Sequence, residues 1–206
     1  LSGTDQIKSV GVVGLGAGTT ACYRTPGQTW TFYEIDPIVI RLAKDTRYFH
    51  YLSDCAPDAE IVQGDARISL QSTPNQNLDL LILDAFSSDA IPIHLITREA
   101  FALYLKKLKP QGRIVFNISN RHMNIAPVLG NLAKALKLAG KLQLYYPPEK
   151  DLRLFCNSSR WVIMSRSEKD LSFLSSQTQW QALSGRDDIG IWTDDYSSIL
   201  DLWLKS

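Results

Sequence analysis

The feature that most limits how this chain can fold is its alternation of short, unbroken apolar runs with helical stripes. Val10 to Leu15 is apolar and carries glycines, and Thr29 to Ile35 is aromatic and β-branched. Ile61 to Val62, Leu78 to Leu83, Ile114 to Ile118, Leu142 to Tyr146 and Trp161 to Met164 read as further strands. Several are apolar at consecutive positions, the pattern of strands covered on both faces in a parallel sheet. Between them, Phe101, Tyr104, Leu105 and Leu108 fall on one helical stripe, as do Ile125, Val128, Leu129, Leu132 and Leu136. Pro110-Gln111-Gly112 is expected to stop the first helix and Gly140 the second. A last helix is expected after Thr193 as N-cap, with Asp194 and Asp195 in its first turn.

Strand and helix alternating this often mean βαβ units with right-handed crossovers. The expectation is an α/β fold, a Rossmann-like, doubly wound, mostly parallel seven-stranded sheet. At 206 residues one domain, 1–206, is the simplest division. Apolar residues at 45% and charged residues at 21% exclude a disordered or fibrous chain. With 22 basic against 21 acidic residues and no charge block, no electrostatic grip on nucleic acid or anionic lipid is expected. The cysteines Cys22, Cys55 and Cys156 are distant and odd in number, which argues against a disulfide framework or a structural zinc and points to a reducing compartment. No apolar run approaches a membrane span, no signal peptide opens the chain, and cytoplasmic placement is expected. The chain starts Leu-Ser-Gly without Met, as a piece of something longer would.

Open α/β sheets bind ligands beyond the carboxyl ends of their strands, so the residues just past each strand carry the functional reading. After the first comes Gly14-Leu15-Gly16-Ala17-Gly18-Thr19. A pyrophosphate fingerprint needs G-x-G-x-x-G, and Thr19 stands where the third glycine belongs. The spacing suits a nucleoside without pyrophosphate and disfavours a nicotinamide dinucleotide; a tight strand-to-helix turn is the plain structural reading beside it. After the second comes Glu34-Ile35-Asp36-Pro37, where Glu34 is placed to accept ribose hydroxyls and Asp36 to cap the next helix with Pro37 at its first position. After the third comes Gly64-Asp65-Ala66-Arg67, in which Asp65 either accepts from an adenine amine or caps a helix, or both. After the fourth comes the loop from Asp84 to Pro92, with Asp84 and Asp89 where a reactive group would project, or as plain loop caps.

These residues resemble the class I S-adenosylmethionine-binding fold and, more closely, spermidine synthases (polyamine aminopropyltransferases). The string Asp84-Ala-Phe-Ser-Ser-Asp89-Ala-Ile-Pro-Ile-His-Leu-Ile-Thr-Arg-Glu99, with Ser119-Asn120-Arg121 and Thr193-Asp-Asp-Tyr196, is similar to spermidine synthase-like domains fused behind bacterial membrane segments. The resemblance implies transfer of an aminopropyl group from decarboxylated S-adenosylmethionine to a putrescine-like amine, without a metal. It implies Gly14, Gly16, Gly18, Glu34, Asp65, Ala66 and Asp84 around the nucleoside. Asp84 and Asp89 are implied as the catalytic acids, although the loop here is longer than the family's D-S-S-D. It also implies a homodimer or tetramer, with a membrane segment upstream in the parent protein. Two departures stand out. Ala17 replaces the Asp that grips the donor's aminopropyl amine in the family, and the family's N-terminal β segment is missing before residue 10. The alternatives are a methyltransferase using S-adenosylmethionine on a small molecule, and a non-catalytic nucleoside-binding or sensing module.

Lesser candidates have bland readings beside them. His94 is expected to cap or pack, His50 and His122 to lie at the surface, and Tyr48, Phe49 and Tyr51 to pack in the core rather than flank a ligand. Trp192 and Tyr196, beside Asp194 and Asp195, either close an acceptor site or belong to a capped C-terminal helix.

Overall fold

The computed structural model describes residues 7–85, 92–120, 123–147 and 158–203. Its strands are β1 Ser9–Val13, β2 Thr29–Glu34, β3 Glu60–Gln63, β4 Leu78–Leu83, β5 Leu108–Asn117, β6 Ala139–Tyr145, β7 Ser159–Ser165 and β8 Trp180–Ala182. Its α-helices are α1 Pro37–Lys44, α2 Tyr51–Cys55, α3 Ala66–Ser72, α4 Arg98–Lys107, α5 Ala126–Leu136 and α6 Leu200–Trp203. Short 3₁₀ segments cover Thr19–Tyr23, Ile93–Leu95 and Glu168–Leu174. Among the described residues no helix is long and apolar enough to cross a membrane. The chain divides into two compact units, residues 1–85 with 102–114, and residues 86–101 with 115–206.

In the first unit the strands run β3-β2-β1-β4, with the opening of β5 beyond them. β1 pairs in parallel with both β2 and β4, and β2 with β3. Chain order and sheet order therefore part company between β1 and β4, the switch point at which such sheets open a ligand crevice. β1 and β4 are buried on both faces, as their unbroken apolar runs require, whereas edge strand β3 is not. Val12, Phe32, Leu70, Leu81, Leu83 and Tyr104 form the fully buried centre of this unit. Asp36 accepts from the Ile38 N–H at 2.7 Å with Pro37 at the first helical position, so α1 starts as its sequence dictates.

The second unit holds the end of β5 with β7, β6 and β8 in that order, β6 being antiparallel to both β7 and β8. The eighth strand is the addition to the expected seven. Its three residues give too short a run to be seen as a period. Phe101 stacks on Phe116 at 5.3 Å, and Ile163, Leu171 and Leu174 form a further apolar cluster.

Four expectations are corrected. Cys22 and Cys55 form a disulfide, with Cα atoms 4.8 Å apart across 33 residues of sequence; spacing along the chain says nothing about a pair that the fold brings together. Pro110 to Gly112 lie within β5, helix α4 having already ended at Lys107. Helix α5 ends at Leu136 with Lys137 as its C-cap, left-handed at φ 55°, and Gly140 belongs to β6. Thr193 caps no helix. It closes a turn with Tyr196, donating its N–H to the Tyr196 carbonyl at 2.8 Å, while the Asp194 carboxylate accepts from Thr97 at 2.7 Å. Helix α6 starts only at Leu200.

Candidate nucleoside site

Parallel register places the carboxyl ends of four strands in one row within the first unit. Val13 stands opposite Tyr33 on one side and Leu83 on the other, and Glu34 stands opposite Gln63. The bonds that close these ends continue past the strands. Gly14 N–H donates to the Tyr33 carbonyl at 2.8 Å, Asp84 N–H to Val13 at 2.9 Å, and Gly64 N–H to Glu34 at 2.9 Å. Gly14, Glu34, Gly64-Asp65 and Asp84 are consequently neighbours on one edge, though up to 70 positions separate them in sequence.

Gly14 and Gly16 serve different ends. Gly14 has φ +94°, and a Cβ there would lie 2.5 Å from the Asp84 carbonyl oxygen. It lets the ends of β1 and β4 approach each other, which any side chain would prevent. Gly16 has φ +52° with nothing within 4 Å of where a Cβ would stand, so the main chain there borders open space. The loop leads into a five-residue 3₁₀ turn, Thr19–Tyr23, rather than a long α-helix. That agrees with a loop not built to seat a pyrophosphate on a helix N-terminus.

Glu34 is 9% exposed and is locked to the glycine loop. Its Oε2 accepts from Leu15 N–H at 2.9 Å and its Oε1 from Asp36 N–H at 2.9 Å. A carboxylate has about four lone-pair sites, so both oxygens keep accepting capacity for a ligand's hydroxyls. Asp65 caps α3, accepting from Ile68 N–H at 2.9 Å, and Ala66 is buried in the first turn of that helix. Asp84 is half-buried, and Thr20 Oγ1 donates to its Oδ2 at 3.4 Å. Asp89, the second acid of the loop after β4, lies outside the described residues, as does His122. Burial pushes the Tyr104 phenol up from its ordinary range, with Arg67 pulling it down and Asp65 adding to the rise. It is a neutral core residue at physiological pH, not an acid or base.

Sequence reasoning missed Thr20, Ile35 and Ile68. Thr20, in the 3₁₀ turn after the glycine loop, reaches Asp84 across 64 residues of sequence. Ile35 and Ile68, each 66% exposed, come after the acids at the ends of β2 and β3 and offer apolar surface there. An isoleucine one residue after Glu34 and another three residues after Asp65 are the signal that was available. Tyr48 and Tyr51 are exposed rather than core, with Phe49 stacked on Tyr51 at 6.4 Å and Arg47 over Tyr48. His50 and His94 are exposed. In the second unit Trp192 is buried, with Asp194 N–H donating to Glu99 at 3.0 Å and Tyr196 half exposed. Among the described residues no three His, Cys, Asp or Glu side chains are grouped as metal ligands would be.

No family model matches the chain. It is 32% identical over 111 residues, 52% of its length, to a polyamine aminopropyltransferase of Vibrio vulnificus (strain CMCP6). The match spans little more than a third, 36%, of that relative. A spermidine synthase in complex with the transition state analogue AdoDATO superposes with TM-score 0.56 at 18% identity, covering 88% of this chain and 62% of that one. Human methyltransferase-like protein 13 in complex with SAH superposes with TM-score 0.56 at 16% identity, covering 81% and 78%. The fold is that of the class I S-adenosylmethionine-dependent methyltransferases, spermidine synthases included.

Proposed function

We propose that this chain, spermidine synthase-like in sequence and fold, is a transferase moving an aminopropyl group from decarboxylated S-adenosylmethionine to a putrescine-like amine. The observation that carries the reading is the single row formed by Gly14 to Gly18, Glu34, Asp65 and Asp84. Glu34 would take the ribose hydroxyls and Asp65 the adenine edge, with Ile35 and Ile68 against the base. The sulfonium would then face Asp84.

The acceptor amine, with a pKa near 10.4 like that of lysine, is neutral only about once in 2,500 molecules at pH 7. Asp84 attracts the ammonium and receives its proton as the amine becomes nucleophilic. Nitrogen then attacks the carbon beside sulfur. A C–N bond forms, the C–S bond breaks, and the bonding pair stays on sulfur as methylthioadenosine leaves. Alignment of donor and acceptor supplies much of the rest, up to about 7–11 kcal/mol. Ala17 favours a second reading. It offers no carboxylate to grip the donor's aminopropyl amine, which suits methyl transfer from S-adenosylmethionine.

Calorimetry with decarboxylated S-adenosylmethionine, S-adenosylmethionine and methylthioadenosine, together with putrescine turnover, tests the proposal. Binding of all three, preference for the decarboxylated donor and formation of spermidine are expected. Preference for the carboxylated donor replaces it with methyl transfer. Tight methylthioadenosine binding without turnover makes the chain a nucleoside-binding module, and binding of none of them removes the site.

A further inference from the structure

The Cys22–Cys55 disulfide has no part in aminopropyl transfer, yet it fastens the segment on which that chemistry rests. Cys22 lies in the 3₁₀ turn Thr19–Tyr23, which continues directly from the glycine loop, and Cys55 ends α2. The same turn carries Thr20, whose hydroxyl donates to Asp84 at 3.4 Å. The same helix carries buried Leu52, whose Cγ would stand 2.9 Å from a Cβ on Gly18. The hydrogen bonds of the turn's own backbone are local: Gly18 N–H to Leu15, Ala21 N–H to Gly18 and Arg24 N–H to Ala21. Its long-range ties include the disulfide, the Gly18–Leu52 contact, the Thr20–Asp84 bond and the Arg24–Asp58 ion pair just beyond it. Cys22 is exposed and Cys55 half-buried, so the sulfur pair is open to attack by a thiolate.

We propose that Cys22–Cys55 is a thiol-exchangeable clamp on the nucleoside site. Closed, it presses the 3₁₀ turn against α2 and holds both the glycine loop and Thr20 in place. Opened by a thiol reductant, it releases them and lowers the affinity of the site. In the exchange the protein disulfide takes up two electrons and two protons to become two thiols, and two thiols of the reductant are oxidised to their own disulfide. The 3₁₀ turn is a suitable point of control because a segment whose backbone bonds are local opens at lower cost than the strands behind it.

The effect on affinity rests on the proposed nucleoside site; the effect on the loop does not. The full chain is compared oxidised and after dithiothreitol, with alkylation and intact mass confirming two additional thiols. Amide hydrogen exchange over residues 18–24 should accelerate on reduction, while β1 and β4 stay protected. The Kd for methylthioadenosine should rise at least about fivefold, the low end of ordinary coupling between sites. Cys22→Ser should show the raised Kd in both conditions and no response to dithiothreitol. Unchanged exchange over 18–24, or a Cys22→Ser protein binding as tightly as the oxidised wild type, overturns the clamp. If Cys22→Ser fails to fold, the two redox forms of the wild type decide. If the oxidised chain binds no methylthioadenosine, the nucleoside reading fails, and the exchange measurement alone upholds or overturns the clamp.

Discussion

Glu34 is the residue at which scaffold and ligand chemistry meet. Its two oxygens receive the amides of Leu15 and Asp36, fixing the glycine loop to the end of β2. Glu34→Ala leaves both amides without their partner, a cost of about 1–3 kcal/mol where the group is buried. Urea unfolding should show that loss, and calorimetry should show nucleoside affinity falling at least about tenfold, as loss of charge-assisted bonds implies. An unchanged Kd would remove Glu34 from the ribose. Asp84 behaves differently, because only its side chain is assigned to the reaction. Asp84→Asn keeps the shape and the acceptor for Thr20 but can neither attract an ammonium nor take its proton. Nucleoside binding should be spared and turnover stopped; full activity in the variant would end the proposed role.

At the scale of elements, α3 and α4 are joined by one cation. Lys107, the last residue of α4 and 4% exposed, donates through Nζ to the Gln71 carbonyl at 2.8 Å, the Thr73 carbonyl at 2.6 Å and Asn75 Oδ1 at 3.2 Å. All three of its protons are placed on acceptors gathered at the C-terminal end of α3, where a positive charge is favoured. Lys107→Met fills similar space yet leaves those carbonyls without a donor. A destabilisation of about 1–3 kcal/mol is expected in urea unfolding, and one below about 0.5 kcal/mol would show the cation to be idle. The position of α3 matters for the site, since its N-terminus carries Asp65 and Ile68.

For the whole molecule, two exposed ion pairs contribute to the acid response, beside Asp79 and Glu99, whose carboxyls are also held below their ordinary range. Hydrogen bonding from Arg24 holds the Asp58 carboxyl at about 2, and hydrogen bonding from Arg47 holds Asp45 at about 2. The unfolded chain regains an aspartate value near 3.9. Between about pH 4 and 2 the unfolded state therefore binds more protons, and stability rises with pH across that window. The contribution is complete above about pH 4 and is lost as pH falls through 2. Urea midpoints measured from pH 5 down to 2 should decline across this range. Asp58→Asn should flatten part of the decline, and added salt should shrink it, because both pairs face solvent. A profile unchanged by Asp58→Asn would mean that the Arg24 pair adds nothing to stability.

Sequence alone determined the strands whose apolar runs are unbroken, the glycine turn after β1, the Asp36-Pro37 start of α1 and the acidic residues at the ends of three strands. These are local matters, fixed by backbone sterics, capping and the burial that a parallel sheet imposes. Only the tertiary structure decided which of those acids stand beside one another, that Glu34 holds the Leu15 amide, that Thr20 turns towards Asp84, and that Cys22 meets Cys55. Such contacts join segments tens of residues apart, and no period or spacing along a chain encodes them. They exist because parallel register brings the strand ends level and the crossovers carry distant segments back to the same edge.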